Sequence, residues 1–218
     1  NLLEIIKGKP EYERPLFVHI STDEVYGSVD DGEICTEKSM FAPSNPYSAT
    51  KAGAEMLCHA FIKSFELPII IVRCNNAISP YQHNEKLIPH CIDSILNNRK
   101  INVHGEGKAK RTFIHGNDIA NALDIIANKG LIGHIYNIGT KMEYDVISVI
   151  QEIINQMKPN DNINDWIKYV PDRAFQDYRY SIDSTELYKL GWADNISFKD
   201  AVTDVIQYKL NEFKNKEL

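Results

Sequence analysis

The 218 residues are enough for one large domain or one and a half smaller ones, and an apolar content of 43% is that of a chain with a packed core. A net charge of −6 and an isoelectric point near 5.7 argue against nucleic acid as a general partner, so any anionic ligand must be met by a few local cations. No apolar run is long enough to span a bilayer, no signal peptide opens the chain, and the widely spaced Cys35, Cys58, Cys74 and Cys91 read as reduced thiols of a cytoplasmic protein rather than a disulfide frame or zinc site.

In chain order, NLLEIIK (residues 1 to 7) reads as a helix entered partway, which with a first residue other than Met suggests a processed or truncated piece. Pro15 to Ile20 is a short apolar run of the kind buried in a parallel sheet, and Ser21, Thr22, Asp23 and Glu24 follow at its C-terminal end, where open α/β sheets bind ligands. Residues 25 to 45 read as a loop. Ser44 or Asn45 can cap a helix that has Pro46 in its first turn and runs to about Phe65, and Leu67 to Arg73 is a second buried strand. Strand, loop, helix and strand fit one right-handed crossover. The polar stretch from Cys74 to Pro89 connects to a helix at about 87 to 97, and Ile101 to His104 and Lys110 to His115 read as strands around the turn Gly105-Glu106-Gly107. That turn lacks a third glycine and leads into a strand, so it is not a dinucleotide fingerprint. Helices are predicted over 118 to 128 and 145 to 157, with a strand at 134 to 138 between them. Lys158 to Asp165 is loop-like, Trp166 to Val170 a short strand, and Pro171 to Tyr180 a charged loop. Helices over 184 to 190 and 198 to 213 end the chain. Asn195-Ile196-Ser197 matches the glycosylation triplet, but without a secretory context Ser197 reads as a helix cap.

The chemistry centres on Tyr47 and Lys51, four residues apart and therefore on one face of their helix. A phenol with a pKa of about 10 is a poor base at neutral pH, and a neighbouring ammonium is expected to lower it. Tyr-x-x-x-Lys is a weak signal alone, since a solvated amphipathic helix carries the same residues. It gains weight from Ala49, Ala52, Gly53 and Ala54, which leave room for a flat ring, and from the adjacent carboxyls Asp23 and Glu24 at a strand end. Proximity and burial can hold two such carboxyls in opposite protonation states.

The ordered set Ser21-Thr22-Asp23-Glu24-Val25-Tyr26-Gly27, Tyr47-x-x-x-Lys51, Asn75-Asn76, Glu85-Lys86-Leu87-Ile88-Pro89, Arg111, Tyr136-Asn137-Ile138-Gly139 and Asp172-Arg173 closely resembles the extended short-chain dehydrogenase/reductase superfamily. Within it, the likeness is to nucleoside-diphosphate-glucose 4,6-dehydratases of the dTDP-glucose and UDP-glucose types. It implies an α/β fold: the C-terminal part of a doubly wound parallel Rossmann-like sheet (residues 1 to 75) with a smaller α+β sugar-nucleotide-binding region (76 to 218), some segments of which return to the first. The Gly-rich βαβ unit that such proteins carry is absent from these residues, so the polypeptide alone is expected to bind NAD poorly and turn over little.

The resemblance further implies NAD as cofactor, Tyr47 as the base at the sugar C4 hydroxyl, Lys51 and Ser21 at the cofactor, Thr22 near the C4 hydroxyl, Glu24 as base at C5 and Asp23 as acid at the C6 hydroxyl. Asn76, Lys86, Leu87, Arg111, Asn137, Arg173 and Gln176 are the implied substrate contacts, with no metal, nucleic acid or membrane, and a homodimer through the first helix and the Tyr47 helix. The chain departs from the pattern at Ala77 and at Gln176, leaving thymidine and uridine both open. A 4-epimerase or decarboxylase of the same superfamily, or a non-catalytic sugar-nucleotide-binding module, are the competing readings, and Asp23 discriminates against the first two.

Overall fold

A computed structural model describes residues 1–173 and 177–216. Its elements in chain order are α1 (Leu2–Lys7), β1 (Phe17–Thr22), α2 (Pro46–Phe65), β2 (Ile69–Cys74), β3 (Asn76–Ile78), α3 (Leu87–Leu96), β4 (Ile101–His104), β5 (Lys110–His115), α4 (Gly116–Lys129), β6 (Ile135–Ile138), β7 (Glu143–Asp145), α5 (Val146–Met157), α6 (Ile163–Trp166), β8 (Ile167–Val170), α7 (Thr185–Lys189) and α8 (Phe198–Lys216). A single 3-10 turn, Asp23–Tyr26, follows β1 directly. The residues fall into two compact units, the first comprising 1–75, 119–141 and 179–193, the second 76–118, 142–178 and 194–218.

The first unit is built on a parallel sheet in the order β1-β2-β6, with Phe17 paired to Ile69 and Ile71 to Ile135. Ile69, Ile70, Ile71 and Val72 are all buried, which is why β2 reads as an unbroken apolar run: side chains alternate between two covered faces. Burying each is worth about 2 kcal/mol of transfer free energy. Ile69 and Ile71 meet Ile6 of α1 and Cys58 of α2, with Phe61, Ile62 and Leu3 closing the cluster.

In the second unit α3, α5 and α8 pack their apolar stripes together over β4, β5 and β8, with Ile92, Ile95, Val149, Ile153, Val202 and Val205 at the centre. Ile101–His104 and Lys110–His115 are strands, as expected, but do not pair with each other across the Gly105–Gly107 turn: β4 runs parallel to β8, while β5 lies between β3 and β7. Both glycines of that turn have positive φ, and a Cβ on Gly105 would meet the Asp172 carboxylate at 2.6 Å, so the turn is shaped to let the segment after β8 approach.

Among the described residues no helix is long and apolar enough to cross a membrane, and no group of three or more His, Cys, Asp or Glu could hold a metal ion.

Candidate active site

At the C-terminal end of β1 the backbone of Thr22 is still extended, and its hydroxyl accepts the Glu24 N–H at 3.3 Å, capping the turn that carries both carboxyls. Gly27 ends the turn at φ 75°, where a Cβ would lie 2.2 Å from the Ala42 carbonyl, so only glycine allows this close approach. The result is an Asp23 that is buried beside a Glu24 that is half-buried. The Thr22 hydroxyl donates to Asp23 Oδ1 at 3.1 Å, and the Asn75 amide donates to Asp23 Oδ2 at 2.7 Å. Asn75 is itself held at the end of β2, its N–H on the Ile138 carbonyl at 3.0 Å and its Oδ1 accepting the Thr140 N–H at 3.2 Å. Gly139 makes that possible, since a Cβ there would sit 2.1 Å from Asn75 Oδ1. Glu24 Oε2 accepts from the Asn45 amide at 3.0 Å and from the Tyr180 hydroxyl at 3.5 Å.

The second half of the cluster comes from α2. Asn45 and Ser48 form a reciprocal capping box and Pro46 opens the first turn, so the helix starts where Tyr47 has to stand. The Tyr47 ring is 52% exposed. The Lys51 ammonium, one turn on, donates to the Ile20 carbonyl of β1 at 2.7 Å. Burial and then the facing Glu24 carboxylate push the Tyr47 phenol above its ordinary value, against a lowering hydrogen bond from Thr22. The direction is opposite to the one expected from Lys51: the ammonium is turned to a backbone carbonyl, and burial, with Glu24 and Asp23 adding to it, raises the phenol.

Two turns beyond Tyr47, Glu55 is fully buried and takes three hydrogen bonds of 2.7 to 3.1 Å from Arg73 of β2. Arg73 Nη1 donates to the Tyr26 hydroxyl at 2.7 Å, and the guanidinium lies 4.7 Å from the ring centres of both Tyr26 and Phe41. The ion pair thus ties the Tyr47 helix, the strand leading to Asn75 and the carboxylate turn into one piece.

The other expected contacts have different settings. Ser21 is buried and its hydroxyl has no hydrogen-bond partner in the structure. Asn137 is fully buried, its Oδ1 accepting from Tyr26 at 2.8 Å and its amide donating to the Asp183 carbonyl at 3.0 Å. Asn76, Lys86, Leu87, Arg111 and Arg173 belong to the second unit. Lys86 is exposed and caps α3, and Leu87 is its first residue. Arg111 on β5 donates to the carbonyls of Lys110, Asp177 and Tyr178, while Arg173 is exposed beyond β8. Asp177 and Tyr178 also line a concave pocket with His104, Gly105, Lys108 and Asp172. Gln176 lies outside the described residues. Asn45, Asn75 and Tyr180, which touch the two carboxyls, escape sequence reasoning: Asn45 reads as a cap, Asn75 as a neighbour of Asn76, and nothing local marks Tyr180.

A parallel sheet that delivers a Tyr-x-x-x-Lys helix against a strand end defines an extended short-chain dehydrogenase/reductase. The family model described as GDP-mannose 4,6 dehydratase matches residues 1–205, and the chain belongs to that family. It is 39% identical to a dTDP-D-glucose 4,6-dehydratase of Dictyostelium discoideum, over 96% of this chain and 57% of that protein. It is 40% identical to an Arabidopsis thaliana trifunctional protein named for UDP-glucose 4,6-dehydratase, 3,5-epimerase and reductase activities, over 95% of this chain and 31% of the other. A crystal structure of dTDP-glucose 4,6-dehydratase from Bacillus anthracis in complex with NAD superposes with a TM-score of 0.90 at 34% identity, covering 98% of this chain and 66% of that one. The chain therefore spans less than two thirds of each of these relatives.

Proposed function

We propose that these residues supply the catalytic and sugar-nucleotide-binding parts of a nucleoside-diphosphate-glucose 4,6-dehydratase, which takes dTDP-glucose or UDP-glucose to the 4-keto-6-deoxy sugar nucleotide and water. The observation that carries this reading is the carboxyl pair on the turn after β1, with Glu24 close enough to Tyr47 to raise its pKa. Oxidation and epimerisation at C4 need one base. Loss of water across C5 and C6 needs a second base and an acid.

The site has a donor set suited to the ribose and nicotinamide end of NAD: an exposed phenol, the Lys51 ammonium, and a buried Ser21 hydroxyl with no partner. Tyr47, Lys51 and Ser21 would hold that end, while no Gly-x-Gly-x-x-Gly turn occurs in the 218 residues to take the pyrophosphate. NAD, when bound, accepts the hydride from C4 and returns it at C6.

Tyr47, hydrogen-bonded to Thr22, takes the C4 hydroxyl proton; its phenol stands above its ordinary value in these residues alone, so this step requires the positive charge of the nicotinamide, when bound, to favour the phenolate. Once C4 is a ketone the C5 proton is acidic, and Glu24, steadied by Asn45 and Tyr180, removes it. Asp23, oriented by Asn75 and Thr22, gives a proton to the C6 hydroxyl, which leaves as water. Glu24 returns its proton to C5, and the proton held by Tyr47 balances the one Asp23 gave. In the second unit Lys86, Arg111 and Arg173 supply positive charge for the diphosphate.

The exposed apolar residues Leu2 and Ile5 on α1 and Met56 and Leu57 on α2 suit pairing with a second copy. Free thiols at Cys35, Cys58, Cys74 and Cys91 suit a reducing compartment such as the cytoplasm.

The test is a polypeptide of the relatives' full length containing this sequence, incubated with NAD and each sugar nucleotide and followed by the base-stable 4-keto chromophore. Asp23→Asn is expected to lower water loss by about 100-fold or more while leaving cofactor reduction measurable. Dehydration by that variant at the parent rate, or a C4 epimer as product, would sink the reading.

A further inference from the structure

The connection from β3 to α3, which ends on Lys86 and Leu87, is held against α8 by side chains far along the sequence. Tyr81 has φ 71°, an uncommon backbone state for a bulky residue, and it is 84% exposed, so no burial imposes that state. Its ring packs on Tyr208 with centroids 4.6 Å apart. Three residues on, Asn84 Oδ1 accepts from the Lys209 ammonium at 2.7 Å, and Lys209, only 9% exposed, is also held by Glu212 at 2.9 Å. Inside the loop, Gln82 donates to the Ala77 carbonyl at 2.8 Å and the Lys86 N–H to the His83 carbonyl at 3.0 Å. A loop of polar residues is ordinarily among the less stable parts of a fold, yet this one is anchored by a ring pair and by a lysine with little access to water.

We infer that Tyr208 and Lys209 are positioning residues: they clamp residues 80–86 so that Lys86 and Leu87 are presented in one arrangement to the nucleoside diphosphate of the substrate. This role of the clamp rests on the assignment of Lys86 and Leu87 as sugar-nucleotide contacts. By ordering the loop before the ligand arrives, it removes an ordering cost from binding.

The experiment uses the polypeptide of the relatives' full length that contains this sequence, loaded with NAD. Amide hydrogen exchange of residues 80–86 and calorimetric binding of uridine diphosphate and thymidine diphosphate are compared across the parent, Tyr208→Ala, Asn84→Ala and Tyr208→Phe. Tyr208→Ala is expected to speed exchange in the loop and to weaken binding of the preferred diphosphate by about tenfold. Asn84→Ala, a change at an exposed loop residue that leaves Lys209 its Glu212 partner, moves both in the same direction by less. Tyr208→Phe keeps the ring contact and matches the parent, which a general loss of α8 stability would not predict. Unchanged exchange in Tyr208→Ala, or faster exchange with unchanged affinity, overturns the clamp alone. Failure of the parent to bind either diphosphate overturns the dehydratase reading itself.

Discussion

Replacing Arg73 by Met removes the partner of a carboxylate that has no access to water. Arg73 and Glu55 have side-chain exposures of 2% and 0%, and the guanidinium also holds the Tyr26 hydroxyl. Breaking a buried pair from one side costs about 3–5 kcal/mol, to which the Tyr26 contact adds about 1 kcal/mol. Arg73→Met is therefore expected to lose about 4–6 kcal/mol. With an m-value of about 2–3 kcal/mol/M in urea, the midpoint falls by about 1.3–3 M. Trp192, buried in the first unit with both partners, reports the transition by fluorescence. The double variant Arg73→Met with Glu55→Leu removes both charges and is expected to recover most of the loss, because an apolar pair of similar volume is often no less stable than a buried ion pair. A loss under about 1 kcal/mol for Arg73→Met, or a double variant as unstable as the sum of the singles, would refute the argument that this charge pair governs the seam.

Two further outcomes are expected. Glu24→Gln removes a carboxylate that raises the Tyr47 phenol, so that phenol should titrate lower in the variant, read by NMR of ring-labelled tyrosine; an unchanged or higher value would show that Glu24 does not face it. Gly139→Ala would press its methyl into the Asn75 amide and loosen the hold on Asp23, at a cost of about 1–3 kcal/mol and a melting temperature lower by about 2–10 °C; a variant that melts with the parent would remove the packing argument.

The elements with strong local signals were legible before any coordinates. β2 is an unbroken apolar run, and α2 announces itself by Asn45, Pro46 and the stripe through Cys58 and Phe61. β3 and β7 were not, because three-residue strands such as Asn76–Ile78 and Glu143–Asp145 carry no period to read. The pairing of β4 with β8 is hidden for another reason: partners more than 60 residues apart are chosen by the packing of α3, α5 and α8, and nothing local to either strand marks it. In the site, motif spacing marks Asp23, Glu24, Tyr47 and Lys51, but their hydrogen-bond partners come from three other segments. The motif around Asn137 also says nothing of its hydrogen bonds to Tyr26 and to the Asp183 carbonyl. The sign of the Tyr47 shift likewise depends on which charge faces the ring, and a sequence carries no such direction.

The Lys51 ammonium on the Ile20 carbonyl has an outcome for how variants of this residue should be interpreted. The same nitrogen that we propose serves the chemistry also rivets helix to strand, one residue ahead of Ser21 and two ahead of Thr22. Trimming it would unfasten that rivet along with deleting a charge. Inactivity in such a protein would thus blend a chemical defect with a mechanical one, and Arg, whose planar fork meets a lone carbonyl differently, would be no neutral stand-in.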